Sequence, residues 1–383
     1  MTSDLRLIGA MKISVLAVGT ELTTGQINNK NSSWISKKLK DLGVLTSLHL
    51  TVPDDRVLVL ESLQICADHS DVIFVTGGLG PTSDDFTRDI VAQWSGRTLE
   101  WNEKSWQHVV ERLSSRGYVV RDFQKQQCFF PSGATVLEND HGTAHGFSIE
   151  HSNKIIFVLP GPPREIEAIW DKNISNWLDQ KTADLDRHLT MSWDILGYGE
   201  SEIAKWTEEA LMGSGLEIGY RVHLPYVEVK VSFLKSQEKA TQIWIEKLNE
   251  KIGAFTVLRN GEDAAQKLCQ ILKRFPKIKI YDDAGSSFLF TRLEMPLRPL
   301  LQKNKIAIQN FIEAEGVPMD PESLTLFTRQ QEENRVQVGF HWRGQTRETI
   351  FESPVTSALM SERRRQYFVE MALFFWLQQL QDL

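Results

Sequence analysis

The chain has 383 residues, of which 41% are hydrophobic and 24% are charged, and its formal net charge at pH 7 is −7. This composition is typical of a soluble globular protein, and the length predicts two or three domains. The acidic balance argues against nucleic acid or an anionic membrane as a general partner. The longest apolar runs, such as 371–377, are much shorter than the roughly 20 residues of a membrane-spanning helix.

The three cysteines, Cys66, Cys128 and Cys269, are widely separated in the sequence. No two of them form a CxxC pair. This pattern disfavours both a disulfide framework and a structural zinc site. We therefore expect a cytoplasmic protein.

The first 180 residues alternate short apolar runs with amphipathic segments. Residues 13–18 form a continuous apolar run that ends at Gly19, as expected of a buried parallel strand that enters a loop. Two more strands are predicted at 44–50 and 71–76, and helices at 31–42 and 57–67. This β-α-β-α-β order predicts an α/β fold, with a parallel or mixed sheet and helices on both faces.

Three further elements are predicted to complete this unit: a helix at 86–94, a strand at 155–159 and a helix at 164–178. The apolar face of the helix at 57–67 is assigned to Val57, Leu60, Leu63 and Ala67. Low apolar content at 180–184 then indicates a domain boundary.

Beyond this boundary the pattern changes twice. Residues 186–258 predict a small α+β middle domain, with strands at 189–196 and 227–234 and helices at 200–212 and 238–252. Residues 260–383 predict an α/β domain, with a helix to 274, a strand at 277–281 and an amphipathic helix at 363–380. The predicted domains are therefore 11–178, 186–258 and 260–383.

The strongest local signal is the glycine-rich segment 76–85, TGGLGPTSDD, which follows a predicted strand and precedes a predicted helix. Ligands of open parallel sheets bind at the carboxyl ends of strands, and glycines let backbone amides approach a phosphate closely. No Gly-Lys-Ser/Thr follows, so the segment is not a P-loop. It predicts an anion site of another kind.

Asp84 and Asp85 are adjacent carboxylates beside this anion site. Such a pair can hold a divalent metal that bridges phosphate oxygens and activates water. The spacing Thr82-x-x-Asp85 is also that of a helix-capping box, and acids stabilise the first turn of any helix. The two roles are compatible, and the sequence does not choose between them.

Two other loops are predicted to reach the same edge of the sheet. Glu21, in the loop after the first strand, is either a substrate contact or a solvated loop acid, and Asp54 with Asp55 is either part of the rim or a helix cap. The segment 159–165, LPGPPRE, has a rigid backbone that would wall a pocket and aim Glu165 into it. In the turn-rich loop 139–146, the Thr143 hydroxyl is placed to contact phosphate or ribose, whereas His145 is expected at the surface.

Four motifs together resemble the CinA (competence/damage-inducible) family. They are GTELxxGQxxxxN at 19–31, TGGLGPTxDDxT at 76–87, NxxGTAxGF at 139–147 and LPGPPxE at 159–165. Their order and spacing make the resemblance specific over about residues 12–172. It implies a molybdopterin-binding-like fold for the first domain, a homodimer and a role in nucleotide metabolism.

The resemblance also implies an activity, the metal-dependent hydrolysis of ADP-ribose or a related small-molecule nucleotide at its diphosphate. The divalent ion would be Co²⁺ or Mg²⁺, aided by K⁺. Carried onto this sequence, Asp84 and Asp85 would bind the metal, and these two with Glu21 would be catalytic. The implied substrate contacts are Gly19, Thr20, Asn31, Thr76, Gly77, Gly78, Gly80, Thr82, Thr87, Thr143, Gly161, Pro162 and Glu165. His145 stands where the family usually has proline.

Full-length members of the family usually end in a nicotinamide-mononucleotide amidase domain. The segment here that corresponds to the family's AESCTGG motif is 281–287, YDDAGSS, with Asp283 at the position of the nucleophilic serine. The family's later GVAGP segment is missing between Leu324 and Phe340. A carboxylate cannot replace the hydroxyl as acyl acceptor, so a degenerate amidase domain is expected. Two alternatives stay open: a retained amidase that uses Ser286 or Ser287, and a non-catalytic molybdopterin- or nucleotide-binding protein.

Overall fold

The computed structural model describes residues 11–285, 287–303, 306–310, 320, 322–354, 360–381 and 383. The chain divides into two compact units, the first ending at His188 and the second beginning at Leu189. Helices and strands mix in both units, which confirms the predicted α/β class. The second unit takes in both the predicted middle domain and the predicted last domain.

The first unit is built on a six-stranded sheet with the order β2-β1-β3-β8-β7-β6. Strands β2, β1, β3 and β8 run parallel, and β7 and β6 extend the sheet in antiparallel fashion. The strands are β1 (Ile13–Val18), β2 (Thr46–Val52), β3 (Val72–Thr76), β6 (Thr135–Leu137), β7 (Gly146–His151) and β8 (Lys154–Leu159). Two short strands, β4 (Leu99–Trp101) and β5 (Phe129–Pro131), pair separately.

Helices cover both faces of this sheet, as predicted. Those of the first unit are α1 (Thr20–Thr23), α2 (Lys30–Asp41), α3 (Arg56–His69), α4 (Thr87–Trp94), α5 (Glu103–Ser114), α6 (Pro163–Ile169) and α7 (Ser175–Thr182). One apolar core holds Ile35 of α2 and Ile166 of α6, and the other holds Leu63 of α3 and Ile90 of α4. All six residues of β1 are buried, because the strand lies between these two cores.

Two details of the predicted helices were wrong. In α3 the buried apolar face contains Val59, Leu63, Cys66 and Ala67, whereas Val57 is 62% exposed. Asp55 caps α3 by accepting from the amides of Val57 and Leu58, so Val57 lies in the first turn, outside the sheet contact. The single helix predicted at 164–178 is divided by a π-helical turn, Trp170–Ile174, which separates α6 from α7.

The second unit contains two sheets. The first has the order β10-β11-β9-β12, with β9 (His188–Leu196), β10 (Glu217–His223), β11 (Tyr226–Leu234) and β12 (Thr256–Arg259). Helices α8 (Glu200–Ala210) and α9 (Glu238–Ile252) pack on one face of it, where Val227, Val229 and Val231 are buried. This is the α+β arrangement predicted for the middle region.

The other sheet has the order β14-β13-β15-β16-β17. Its strands are β13 (Ile278–Asp282), β14 (Ile306–Asn310), β15 (Leu324–Glu332), β16 (Arg335–Trp342) and β17 (Gln345–Glu352). Its helices are α10 (Ala264–Leu272), α11 (Ser287–Leu301) and α12 (Ser361–Leu380). Trp376 of α12 is fully buried, and its indole N–H donates to the Gly339 carbonyl. Among the described helices, none is both long and apolar enough to cross a bilayer.

Candidate active site

The carboxyl ends of the parallel strands β1, β3 and β8 open into a cleft of about 370 Å³, here called the glycine-loop cleft. Sequence-predicted residues that line it are Gly19, Glu21, Gly77, Gly78, Gly80, Thr82, Asp84, Asp85, Thr143, Gly161, Pro162 and Glu165. An adjoining cavity of about 600 Å³, here called the side cavity, is lined by Asn31 and Thr76 and shares Glu21, Gly77, Gly161 and Pro162 with the cleft. The fold thus brings together residues up to 146 positions apart in sequence, from Gly19 to Glu165, as parallel-sheet topology predicts.

The glycine-rich loop leaves β3 along a path that only glycine follows easily. Gly77 has a φ of +99° and Gly78 a φ of +65°. A β-carbon on Gly77 would lie 2.1 Å from the carbonyl oxygen of Val18 in the neighbouring strand. The loop is further closed by Thr87, whose hydroxyl donates to the Gly77 carbonyl at 3.0 Å and whose amide donates to the Gly78 carbonyl at 3.2 Å.

Gly78, Leu79 and Gly80 line the cleft, and their amides donate to no acceptor within the described chain. Unpaired backbone N–H groups are costly unless water or a ligand satisfies them. Successive unpaired amides in one loop can together bind an anion. The loop therefore has the donors that a phosphate group requires.

Thr82, Asp84 and Asp85 form a tight turn that precedes α4. The Thr82 hydroxyl is shared between Asp84 Oδ1 and Asp85 Oδ2, the latter at 2.6 Å, and the Thr82 amide donates to Asp85 Oδ2 at 2.9 Å. The hydrogen bond from Thr82 lowers the pKa of Asp84 below its usual value of 3.8. Because α4 begins only at Thr87, this turn is separate from the helix cap, and the capping-box interpretation of Thr82 and Asp85 was wrong.

The two aspartates fit a metal site that substrate and water complete, and they do not fit a site made of protein ligands alone. Asp84 is exposed and ionised, whereas Asp85 Oδ2 is committed to Thr82. Neither belongs to a group of three protein donors within 4.8 Å of one another, as far as the described residues go. Such a pair is too few for an all-protein cage. It suits Mg²⁺, which is commonly held by one or two carboxylates together with substrate phosphates and water.

Asn139 organises the wall of the cleft opposite the glycine-rich loop. Its buried side chain donates to the carbonyl of Ala144 at 2.8 Å and to Glu165 Oε2 at 2.7 Å, and it accepts from the amides of His141 and Gly142 at 3.0 Å. All the hydrogen-bonding capacity of the amide group is used. One side chain therefore fixes the loop 139–146 relative to α6.

Glu165 lies in the first turn of α6, directly after the Pro-rich segment, and it lines the cleft as the sequence predicted. Its carboxyl group packs against Gly142, where a β-carbon would lie 2.2 Å from Glu165 Oε2. Burial raises the pKa of Glu165 above 4.5, although the hydrogen bond from Asn139 opposes the effect. The protonated form is therefore favoured by folding.

This pKa predicts a pH-dependent stability. Because the folded-state value lies above 4.5, the contribution of Glu165 is complete below pH 4.5 and is lost as the pH rises through the folded pKa. Glutamine at this position cannot ionise, so the Glu165→Gln variant does not lose this stability as the pH rises. Its unfolding free energy in urea, minus that of wild type, should therefore increase above pH 4.5. Glu167→Gln, an exposed acid on the same helix, is the control. Identical pH profiles for wild type and Glu165→Gln would contradict the assignment.

The prediction that His145 lies at the surface was wrong, because its side chain is buried and only 6% exposed. Its Nδ1 accepts the Asn139 amide at 2.9 Å, and its ring packs 4.2 Å from that of His108. Burial, reinforced by His108, lowers the pKa of His145 to about 4. His145 is thus a neutral acceptor that satisfies a backbone amide.

Two predicted contact residues do not line the cleft or the side cavity. Thr87 is fully buried behind the glycine-rich loop, which it closes, so a direct substrate contact was wrong for this residue. The Thr20 amide donates to Asp54 Oδ2 at 2.7 Å, and the Asp54 amide donates to Thr20 Oγ1 at 3.1 Å. This reciprocal pair joins the loops after β1 and β2, so Thr20 acts as a brace for the rim.

Asn31 and the Pro-rich segment are joined across the side cavity. Asn31 Nδ2 donates to the Gly161 carbonyl at 2.7 Å, which links the first turn of α2 to the exit of β8. Asp55 caps α3 and does not line the cleft, whereas Asp54 does. The sequence left two roles open for this pair, a place in the cleft wall and a helix cap. Asp54 has the first role and Asp55 has the second.

Sequence reasoning missed two buried polar residues of the site. Gln127, on the 3-10 segment Asp122–Cys128, lines the cleft, is 2% exposed, and has an Oε1 without a hydrogen-bond partner in the described chain. Arg88 is also 2% exposed, and its Nη2 donates to the Leu79 carbonyl at 2.5 Å, supporting the glycine-rich loop from behind. Burial lowers the pKa of Arg88 to about 10. Neither residue belongs to a motif that spacing could reveal.

The segment at the predicted amidase position lies at the end of β13. Asp283 Oδ2 accepts from the Gln330 amide at 2.9 Å, and Asp282 Oδ1 accepts from the Gly285 amide at 2.9 Å. Asp283 is thus held by a neighbouring strand. Ser287 is the exposed first residue of α11, and Ser286 lies outside the described residues.

Comparison with known proteins agrees with this architecture. Residues 14–180 match the family described as "Probable molybdopterin binding domain". A protein of Thermoanaerobacter pseudethanolicus, named as a competence-damage inducible protein, is 34% identical over 268 residues, which cover 69% of this chain and 64% of that protein. A protein of the same name from Clostridium botulinum is 36% identical over 201 residues, 52% of this chain and 49% of that protein. The chain thus spans less than two thirds of the length of these relatives.

Among solved structures, the crystal structure of the protein CinA, of unknown function, from Thermoplasma acidophilum is 26% identical. The match covers 45% of this chain and 98% of that chain, with a TM-score of 0.41. The family model and the curated relatives, with the four motifs in order around one cleft, identify the chain as a member of the CinA family with an N-terminal domain of the molybdopterin-binding type.

Proposed function

We propose that the first unit hydrolyses the diphosphate of ADP-ribose or a related nucleotide. One water molecule is consumed, one P–O bond of the anhydride breaks, and ADP-ribose gives AMP and ribose 5-phosphate. The observation that carries the proposal is that three free amides, at Gly78, Leu79 and Gly80, share one cleft with the ionised carboxylate of Asp84.

The amides bind the phosphate oxygens and stabilise the negative charge that grows on them during attack. Donors of this kind are effective because they are already oriented before the reaction and need no rearrangement. Thr87 and Arg88 hold the loop in this orientation by bonding to the carbonyls of Gly77 and Leu79. The Pro-rich segment and Glu165 close the opposite side of the cleft.

The carboxylates of Asp84 and Asp85 would hold a divalent ion, Mg²⁺ or Co²⁺, and a bound ion of this kind polarises the phosphate and lowers the pKa of water. Glu21 lines both the cleft and the side cavity. It is the carboxylate that we assign to accept the proton of the attacking water. The side cavity, lined by Asn31 and Thr76, would receive one of the two sugar-containing ends of the substrate.

For the second unit we propose that amidase activity has been lost. Asp283, which stands at the position of the nucleophile, cannot serve as an acyl acceptor in the same mechanism, and its carboxylate is engaged by the Gln330 amide. Release of ammonia from nicotinamide mononucleotide, abolished in a Ser286→Ala or Ser287→Ala variant, would contradict this proposal.

The pyrophosphatase proposal is tested by incubating the full chain with ADP-ribose and a panel of other nucleoside diphosphate sugars, with Mg²⁺, with Co²⁺ and with chelator. We expect AMP and ribose 5-phosphate in equal amounts from ADP-ribose, and no product with chelator. Binding of these nucleotides without any turnover would instead support the second candidate, a non-catalytic nucleotide- or pterin-binding protein. The fully satisfied Asn139 wall and the commitment of Asp85 to its own loop are compatible with that outcome.

A further inference from the structure

A second cluster of polar residues lies in the other unit, on the sheet β10-β11-β9-β12. Along β11 the side chains alternate, so that Val227 and Val229 face the core with α8 and α9, and Tyr226 and Glu228 face the opposite side. Glu228 is nevertheless only 7% exposed. A buried carboxylate on this face requires a neighbouring cation or ligand, because burial of an isolated charge is costly.

Two residues from the neighbouring strands meet Glu228. Asp194 comes from β9 and is 4% exposed, and His223 ends β10, where it pairs with Tyr226. His223 Nε2 lies 2.8 Å from Asp194 Oδ1. One donor atom from each of the three residues lies within 4.8 Å of the other two, and within the described chain this is the one trio of histidine, cysteine or acidic residues that does so.

The state of Glu228 is the second observation that points to a ligand. Its Oε2 is buried and accepts no hydrogen bond from any described residue. Lys230 Nζ lies 3.0 Å away and Arg221 Nη1 3.8 Å away, so both are ion-pair neighbours without hydrogen-bond geometry. The Arg221 side chain is 63% exposed and that of Lys230 is 30% exposed, so both have room to withdraw into solvent.

We propose that Asp194, His223 and Glu228 form a binding site for a divalent transition-metal ion, of the class of Zn²⁺ or Co²⁺. One imidazole nitrogen and two carboxylate oxygens are a donor set that these ions accept, whereas Mg²⁺ and Ca²⁺ prefer oxygen alone. In a tetrahedral site with bonds of about 2.0–2.2 Å, the ligand atoms lie roughly 3.3–3.6 Å apart. His223 Nε2 and Asp194 Oδ1 are 2.8 Å apart, the distance of a hydrogen bond. To ligate one ion they must separate by roughly 0.5–0.8 Å, and Nε2 must be free of its proton.

The site opens to one side. Asp194 and His223 line a cavity of about 570 Å³, which Glu228 does not line. A three-residue site with a fourth position open to solvent is typical of a zinc site that exchanges a ligand. Across the same cavity, Arg292 is held by Glu370 and Asp263, through Nε at 2.5 Å and Nη2 at 2.7 Å. The fourth ligand is therefore water or a small molecule that enters from the cavity.

The test uses the full chain with Asp84→Asn and Asp85→Asn already introduced, so that metal binding at the glycine-loop cleft does not contribute. Titration calorimetry with Zn²⁺ and with Co²⁺ should give one site per chain. His223→Ala should weaken this binding by at least about tenfold to 100-fold. His69→Ala, an exposed histidine of the other unit, and Glu217→Gln, an exposed acid of β10, should leave it unchanged.

If Asp194→Asn or Glu228→Gln fails to fold, the His223→Ala variant and a Co²⁺-soaked crystal still test the site. His223 is partly exposed, so His223→Ala is expected to fold, which circular dichroism checks. Crystals soaked in Co²⁺ should show an anomalous peak between the three side chains. Unchanged affinity in His223→Ala, an anomalous peak elsewhere, or no binding of either ion would overturn the proposal. None of these outcomes depends on whether ADP-ribose is hydrolysed.

Discussion

Asp84→Asn is expected to lower kcat/KM for ADP-ribose by about 100- to 1000-fold, which is the usual cost of removing one electrostatic contact to a transition state. Asparagine keeps the size and hydrogen-bonding ability of the side chain but removes the charge that attracts the divalent ion. Asp84 is exposed, so the thermal midpoint should change little. Steady-state kinetics at saturating Mg²⁺, together with a melting curve, measure both quantities.

The matched control is Asp68→Asn, which makes the same chemical change at an exposed position of α3 in the same unit. It should behave as wild type in both assays. If Asp84→Asn retained full activity, Asp84 would have no part in the reaction, and the proposed assignment of the metal ligands would have to be abandoned. An equal loss in Asp68→Asn would indicate an effect of net charge alone.

The second large effect is expected for Gly77→Ala. The φ of +99° strains any residue with a β-carbon, and that atom would lie 2.1 Å from the carbonyl oxygen of Val18, which belongs to a central strand and cannot rotate away. Together, strain and overpacking should cost about 3 kcal/mol or more. For a unit of this size the thermal midpoint should fall by roughly 6–12 °C.

Gly96→Ala separates these two causes. Gly96 also has a positive φ, of +66°, but a β-carbon there would meet no atom within 4 Å. It should cost only about 1–2 kcal/mol, the usual penalty of a left-handed conformation. Urea unfolding of both variants gives the difference, which measures the contact between β3 and β1. Equal destabilisation would mean that β1 and β3 separate readily, and that the loop is less rigid than its geometry indicates.

The positions of the strands and of the glycine-rich loop could be predicted because they depend on local patterns. Continuous apolar runs predicted β1, β3 and β8, and the rule that ligands bind at the carboxyl ends of parallel strands placed Gly19, Gly77 and Gly161 together. The structure places all three in one cleft. The chemical role of that cleft came from the motifs and stays a proposal.

What could not be predicted depends on contacts distant in sequence. Gln127 reaches the cleft from a 3-10 segment without any periodic pattern, and His145 is buried because its ring accepts the amide of Asn139. Likewise, the motif predicted that Thr87 contacts the ligand, whereas its buried hydroxyl donates to the Gly77 carbonyl of the glycine-rich loop. The trio Asp194, His223 and Glu228 comes from three strands and has no sequence spacing that would suggest a metal site.

The hydrogen bonds of Asn139 determine how substitutions in the loop 139–146 affect the cleft. Four hydrogen bonds converge on one amide group, and they connect the loop 139–146 with the helix that carries Glu165. Substitutions in that loop that touch no ligand should therefore alter the cleft by unseating Asn139. In a saturation screen for function, sensitive positions would extend along the whole loop and would outline its architecture as well as its chemistry.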